Sequence, residues 1–554
     1  VSSERWQGGF TVQAALIFLF AFWLLAFHTG DASLWDIDEP NNAQSLKEMI
    51  VHHDFVVPTF NGHLRPDKPI LNYWLMDVGV RLLGMNSWGL RVGSVALGAL
   101  LVLYLMFALR PFLGDEAALL TGLFTATALH SQIIFRAAVP DPLLIFFVTV
   151  SLLSWLHGYL RPKGRLGHYL LAYAAMGLGT LAKGPIAFLL PGLIITVFLL
   201  LRRELPHLWR EGRLTLGVPL FLVIALPWYL AVGIATHWAW DLRFIDAQNV
   251  GRYTAAMQGH RGPIYYYLLT TFLGLLPWSV FLPQALAEGW RQRRGMILAQ
   301  PVQAFFWLWA GLWIAFFSLG ATKLPNYVWE AYPPLLALLA WRFRLALTSK
   351  RPLGPWGLRT SLALLATVGL VLVGLGAWLV PKDIPPLGSV AYLGLPYLLG
   401  ALLALVFVQG RRLWGVIASL GAAAVGLTLC LVLLAMPSLD ALKPSVTMGY
   451  LVRHLEGSRP YSLATWRWWE PSFLFYAGRG AMTATDLDAP QTQVPQILRG
   501  HPGPLFLVTP QEDVSALRRE LPKGIQMREL YTGYELYSRR RISLLRIDKE
   551  KIQP

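Results

Sequence analysis

Long apolar runs, broken by short polar stretches, recur from residue 10 to residue 436 of this 554-residue chain. Runs of about twenty apolar residues satisfy their backbone hydrogen bonds in lipid only as helices. Spans are expected at 10–27, 88–109, 115–130, 142–160, 168–182, 185–201, 214–235, 264–286, 302–320, 327–346, 360–380, 391–409 and 412–436. Composition agrees, with 55% hydrophobic and 14% charged residues. A soluble globular chain of this length carries about 25% charged residues. The first run is long for a signal-peptide core and has no small-residue cleavage site behind it, so it reads as a retained span. The stretch "PILNYWLMDVGVRLLG" is shorter and carries Asp77 and Arg81. It is expected to lie in the membrane interface rather than cross it.

Orientation comes from the breaks. Alternate breaks are basic, as in "RPKGRLGH", "RRELPHLWREGR", "EGWRQRRG" and "QGRR". Those between them, such as "LAKGP" and "SLGATKLPNY", are nearly neutral. Lys and Arg mark cytoplasmic loops, so the N-terminus is expected in the cytoplasm. The loop at 28–87 and everything after 436 then face the other side. The formal net charge of +16 is accounted for by cytoplasmic loops, and no nucleic-acid partner is expected. A single cysteine, Cys430, excludes an intramolecular disulfide and a cysteine-cluster metal site.

After residue 436 the pattern changes to short apolar runs, "YSLAT", "PLFLVT" and "RISLLRI", between helix-like stretches. That pattern fits a small soluble α/β domain. The expected architecture is thus an α-helical polytopic membrane protein of about thirteen spans over 1–436, with an α/β domain at 437–554. The end domain has no Gly-rich phosphate loop, and its Arg539, Arg540 and Arg541 read as a solvated turn.

The far-side loops hold nearly all the unusual polar residues. The first, "WDIDEPNNAQ", puts Asp36, Asp38 and Glu39 within four positions, and Asp67 and Lys68 follow. The next loops supply Arg136, Asp141 and Lys183. The fourth, 237–262, supplies Arg252, His260 and Arg261, and the fifth Lys323 and Tyr327. Ionisable groups at a membrane boundary are costly and are functional candidates. The plainer alternatives are snorkelling for the cations and helix capping for Asp38, which comes just before Pro40 in the chain, and for Asp141, which lies between two prolines. Acids and cations converging on one face suit a reaction between a membrane-bound phosphate donor and an acceptor. Asp67 and His260 are weak candidate metal ligands. The sequence requires no cofactor, and a divalent metal is compatible with it.

An ordered series of motifs, "WDIDEP", "HLRPDKPILNYWL", "VPDPLL", "TLAKGPIAF", "HRGPIYYYLL" and "TKLPNYV", resembles the polyprenyl-phosphate-dependent membrane glycosyltransferases of the GT-C, protein O-mannosyltransferase-like superfamily. Within it the series is most similar to the lipid A aminoarabinose transferases, and covers about residues 30–340. The resemblance implies an inverting enzyme of the bacterial inner membrane with a periplasmic site. It implies transfer of 4-amino-4-deoxy-L-arabinose from undecaprenyl phosphate to lipid A phosphates, and resistance to polymyxin. By the same resemblance Asp38, Glu39 and Asp141 are the catalytic acids. Lys68, Arg252 and Tyr327 hold the carrier phosphate, with Arg261 and Lys323 beside them. The chain departs from the family's usual motif in "DEPNNAQ" and in Asp67, where glutamate is usual. A protein O-mannosyltransferase or another polyprenyl-phosphate sugar transferase is the nearest alternative. A transporter is disfavoured by the absence of an evident internal repeat.

Asp38 has two readings. For a hydroxyl acceptor it serves as general base. A phosphate monoester, with a second pKa of about 6, is already ionised, and Asp38 then orients acceptor or sugar amine.

Overall fold

A computed structural model describes residues 2–255, 260–293, 295–348, 352–379, 385–522 and 524–549. Residue 380, residues 381–384 of the break after it, and residues 256–259 of the fourth loop lie outside the described residues. The chain divides into two compact units. The first comprises Val1–Thr29, Pro66–Asp383 and Gly388–Leu434, and the second Gly30–Arg65, Ile384–Leu387 and Ala435–Pro554.

The first unit is helical. Among the described residues eight helices are long and apolar enough to cross a membrane: Gly9–Ala26, Ser87–Leu113, Asp141–Leu160, Leu214–Ala235, Pro301–Leu319, Pro355–Trp378, Gly388–Gln409 and Leu413–Asp440. The span expected over 264–286 is broken in the middle. Its residues form two helices, Tyr266–Gly274 and Trp278–Gln292, which meet at 113°. Pro277 between them has no N–H to continue a helix, and its ring crowds the preceding turn. Helices at Asp115–Thr127, Arg165–Lys183, Ile186–Arg202 and Tyr332–Leu347 occupy other expected spans.

Aromatic rings fill the core between these helices. Trp278 stacks on Phe124 with centroids 3.9 Å apart, and its indole N–H reaches the Thr127 hydroxyl at 3.0 Å. Bonding that N–H is what lets so large a ring be buried. Arg91 and Arg136 close the first helix, donating to the carbonyls of Thr29 and Phe27 at 2.8 Å each. Cations there satisfy orphan carbonyls at the negative end of the helix dipole. Arg136 is thereby a structural residue. The stretch expected at the interface is the Leu71–Leu83 helix. It buries Tyr73 and Met76, exposes Trp74, Val78 and Leu82, and pairs Arg81 with Asp77 at 2.7 Å.

The second unit carries strands. A two-stranded hairpin joins β1 (Thr59–Phe60) to β2 (His63–Leu64). Five more strands, β3 (Ser462–Thr465), β4 (Ala484–Asp486), β5 (Leu505–Pro510), β6 (Ile525–Glu535) and β7 (Arg540–Lys549), form one sheet in the order β4-β3-β5-β7-β6. The first three are parallel, and β7 and β6 are antiparallel. The period-2 rule divides the core. Phe506, Val508, Ile542 and Leu544 face Met448, Val452 and Phe473 on one side. Leu505, Leu507, Leu545 and Ile547 face Val494, Leu498 and Leu517 on the other. β3, β5 and β7 are the runs read as strands from sequence, and Arg539, Arg540 and Arg541 are exposed.

Part of the first loop belongs to this unit, where sequence reasoning had grouped residues 28–87 with the helices. Lys47 is buried on the Asp38–His52 helix and donates to the carbonyls of Phe475 at 3.2 Å and Gly478 at 2.7 Å. Ser33 bonds Asp440 through both its N–H and its hydroxyl, and Asn61 exchanges two hydrogen bonds with Ala484.

Candidate active site

One group of buried polar side chains in the helical unit surrounds Asp141. The Asp141–Leu160 helix begins at this aspartate, where a carboxylate is favoured by the helix dipole. The Arg165–Lys183 helix ends at Lys183, where a cation is favoured for the same reason. Gly184 stops that helix with a φ of +93°, and a Cβ there would lie 2.7 Å from the Phe244 ring. Lys183 Nζ donates to Asp141 Oδ1 at 2.6 Å, and Asn326 Nδ2 donates to the same oxygen at 2.9 Å. The ammonium also stands over the Tyr327 ring, 5.5 Å from its centroid. Asp141 is therefore an ion-pair member here, and its helix carries no side-chain cap.

Tyr327 links this cluster to the fourth loop. It lies on the 3₁₀ helix Pro325–Ala331, and its carbonyl accepts from the Trp313 indole at 2.9 Å. Its hydroxyl accepts from Arg252 Nη1 at 3.0 Å. The loop strands beneath them are paired: Ala321 N–H donates to Tyr253 O at 2.9 Å and Lys323 N–H to His260 O at 2.9 Å. Gln248, four residues before Arg252, donates to Asp67 Oδ1 at 2.9 Å. That bond ties the segment bearing Lys68 to the segment bearing Arg252. Lys68 itself is half-buried.

Other expected residues sit differently. Lys323 spends its ammonium on the carbonyls of Phe317, Ser318 and Gly320, at 2.9, 2.6 and 2.7 Å, closing the Pro301–Leu319 helix. Burial pushes that ammonium below its ordinary value. His260 and Arg261 are exposed. Among the described residues no three His, Cys, Asp or Glu side chains come together to hold a metal, Asp67 and His260 included.

Asp38 and Glu39 belong to the second unit. Both lie in the first turn of the Asp38–His52 helix. Asp38 is exposed, whereas Glu39 is buried and accepts the Trp35 N–H at 2.6 Å. Asp36 accepts from the Ser472 hydroxyl and is pushed up to about 6, chiefly by burial. Glu470 is pushed up to about 8 by burial and by the Asp36 charge. Lys443, beside both acids, partly opposes the rise.

Sequence reasoning missed Asn326, Gln248 and Glu330. Glu330 had a signal, being an acid inside the apolar run "YVWEAYPPLL". Asn326 and Gln248 had none, since a neutral amide in a loop is ordinary.

A family model described as dolichyl-phosphate-mannose-protein mannosyltransferase matches residues 67–230. An undecaprenyl phosphate-alpha-4-amino-4-deoxy-L-arabinose arabinosyl transferase of Aeromonas salmonicida is 32% identical over 337 residues, covering 60% of this chain and 59% of that protein. A transferase of the same name from Pseudomonas aeruginosa is 33% identical over 381 residues, covering 66% of this chain and 65% of that protein. The chain thus spans about three fifths of the length of the curated relatives it matches. The crystal structure of ArnT from Cupriavidus metallidurans bound to undecaprenyl phosphate superposes with a TM-score of 0.76 at 22% identity, over 98% of both chains. The fold is that of ArnT. The apo ArnT structure gives the same result, with a TM-score of 0.74. A chain with the ArnT fold is a multi-span helical membrane protein with a small C-terminal sheet domain, as described above. The resemblance read from the motifs of residues 30–340 holds in sequence and in fold.

Proposed function

We propose that this chain is an inverting glycosyltransferase of the bacterial inner membrane. It moves 4-amino-4-deoxy-L-arabinose from undecaprenyl phosphate to phosphate groups of lipid A, lowering the affinity of polymyxin for the surface. The observation that carries the reading is the buried Asp141–Lys183–Asn326 network joined through Tyr327 to Arg252. The names of the relatives at 32% and 33% identity supply the donor and the sugar. The site faces the periplasm in this reading. That orientation is supported by the basic breaks of the sequence, which mark the cytoplasmic side and leave the loops bearing these residues on the other.

The chemistry is a single displacement. An oxygen of the lipid A phosphate attacks the anomeric carbon, and the carbon–oxygen bond to undecaprenyl phosphate breaks with its electron pair on the leaving phosphate. Arg252 and Lys68 stabilise that charge, with Tyr327 orienting the guanidinium and Arg261 adding field. Lys323 holds the loop that presents Tyr327. Asp141 orients the reacting groups and stabilises positive charge on the sugar, and the motif resemblance assigns Asp38 an acidic role in the same reaction. The acceptor phosphate, already ionised, needs no base. Glu39 supports the turn that bears Asp38. Any divalent metal would add to the phosphate-binding charge, and the lysines and arginines do that work without one.

The test is complementation of a strain lacking its own aminoarabinose transferase, read by lipid A mass spectra and polymyxin survival. A mass gain of one aminoarabinose that disappears with Asp141→Asn supports the reading. No gain from well-expressed protein overturns it. The match to the mannosyltransferase model favours one second reading, a different polyprenyl-phosphate sugar or acceptor, reached by offering other donors to the same protein.

A further inference from the structure

Glu330 is 1% exposed, and neither of its carboxyl oxygens has a hydrogen-bond partner among the described residues. Its charged neighbours are Lys183 and Asp141. The nearby Trp313 indole N–H is given to the Tyr327 carbonyl instead. The cluster therefore holds two carboxyls and one ammonium in the buried interior. Asp141 Oδ1 receives both Lys183 and Asn326. Among the described residues no donor is in hydrogen-bonding geometry with the Glu330 carboxyl, although its own backbone N–H, the Trp313 indole and the Lys183 charge lie close to it. Lys183 has three N–H donors, of which one is directed at Asp141. Glu330 shares the Pro325–Ala331 stretch with Asn326 and Tyr327, the residues that flank the ammonium.

We propose that Glu330 is a positioning residue, a second anchor for Lys183. Lys183 turns from Asp141 to Glu330 when substrate arrives. Asp141 is then released toward the reacting groups, and the ammonium is never left unpaired in the interior, where an uncompensated charge is severely destabilising. Tyr327 and Tyr332 place their phenol rings at the same cluster. The catalytic half of this inference rests on the transferase reading. The pairing half does not.

The test is a mutant cycle on the full-length protein in detergent, with Asp141→Asn, Glu330→Gln, their combination, and the combination with Lys183→Met. Each single variant leaves Lys183 one acid, so its melting temperature falls little. The double variant orphans the ammonium and falls roughly 5 °C or more beyond the sum of the singles. Adding Lys183→Met restores most of that loss. Additive singles with no rescue overturn the shared anchor. In the transfer assay Glu330→Gln lowers kcat about tenfold or more with donor KM within about twofold, because Asp141 stays clamped. An unchanged kcat overturns the release step. If the wild-type protein transfers no aminoarabinose, the function reading fails, and the melting cycle still decides whether Lys183 is shared.

Discussion

Arg252 Nη1 donates to the Tyr327 hydroxyl at 3.0 Å, joining two loops 75 residues apart in sequence. A guanidinium held this way has one donor fixed, and among the described residues its other terminal N–H groups are left for a phosphate. Tyr327→Phe removes only the fixing bond. Such a bond contributes about 0.5–1.5 kcal/mol, so donor KM rises about two- to tenfold with kcat little changed. Arg252→Ala removes the charge itself and raises donor KM further. Steady-state kinetics with purified donor checks both. Unchanged donor binding in Arg252→Ala would remove this pair from the carrier site.

The two neighbouring acids of "WDIDEP" should separate cleanly. Glu39 is buried on the Trp35 N–H, so Glu39→Gln weakens a charge-assisted bond and costs about 1–3 kcal/mol of stability. Asp38 is exposed in the same helical turn, so Asp38→Asn costs at most about 1 kcal/mol through the helix dipole. Turnover behaves the opposite way, with Asp38→Asn losing tenfold or more. Thermal unfolding and lipid A mass spectra on the same two variants decide it. Full activity in Asp38→Asn would remove that residue from the mechanism.

Lys183→Met leaves Asp141 buried without its cation. Breaking a buried pair from one side costs roughly 3–5 kcal/mol, and the pair here is almost wholly enclosed. Lys183→Met protein should therefore melt well below wild type, and Asp141→Asn added to it should recover part of the loss. A Lys183→Met protein of wild-type stability would mean that the pair is solvated in the membrane-bound protein.

The helical architecture was legible because lipid makes one demand of every span, an apolar helix, and that demand is written in composition. β3, β5 and β7 were legible for a related reason: each is a short buried run between turn residues. The break at Pro277 was hidden, since its flanks "FLGLL" and "WSVFL" are as apolar as an unbroken span. The partition of the first loop was hidden too. It depends on Lys47, Ser33 and Asn61 finding partners more than 400 residues away, and no local pattern encodes such pairings. At the site, charged residues announced themselves by their cost in an apolar chain. Which of them pair is a matter of geometry. Lys323 and Arg136 looked as functional as Lys183, yet both cap helix ends.

Asp36 and Glu470 make the second unit sensitive to pH in a calculable direction. Burial raises Asp36 from 3.8 to about 6 and Glu470 from 4.5 to about 8. A carboxyl raised in the folded state keeps a proton that the unfolded chain has already lost. Its stabilising contribution is therefore present below the unfolded value and is lost as pH rises through the folded one. Stability from this pair should fall between pH 4 and pH 8, by on the order of a few kcal/mol. Lys47 acts oppositely, since burial lowers it to about 7 and its contribution grows as pH rises above that value. Comparing Glu470→Gln with wild type cancels Lys47. The difference in melting temperature should be small near pH 4.5 and should favour Glu470→Gln increasingly up to pH 8. A variant that is less stable than wild type at pH 8 would show that Glu470 is ionised and paired in the folded protein, with Lys443 as the cation that holds it.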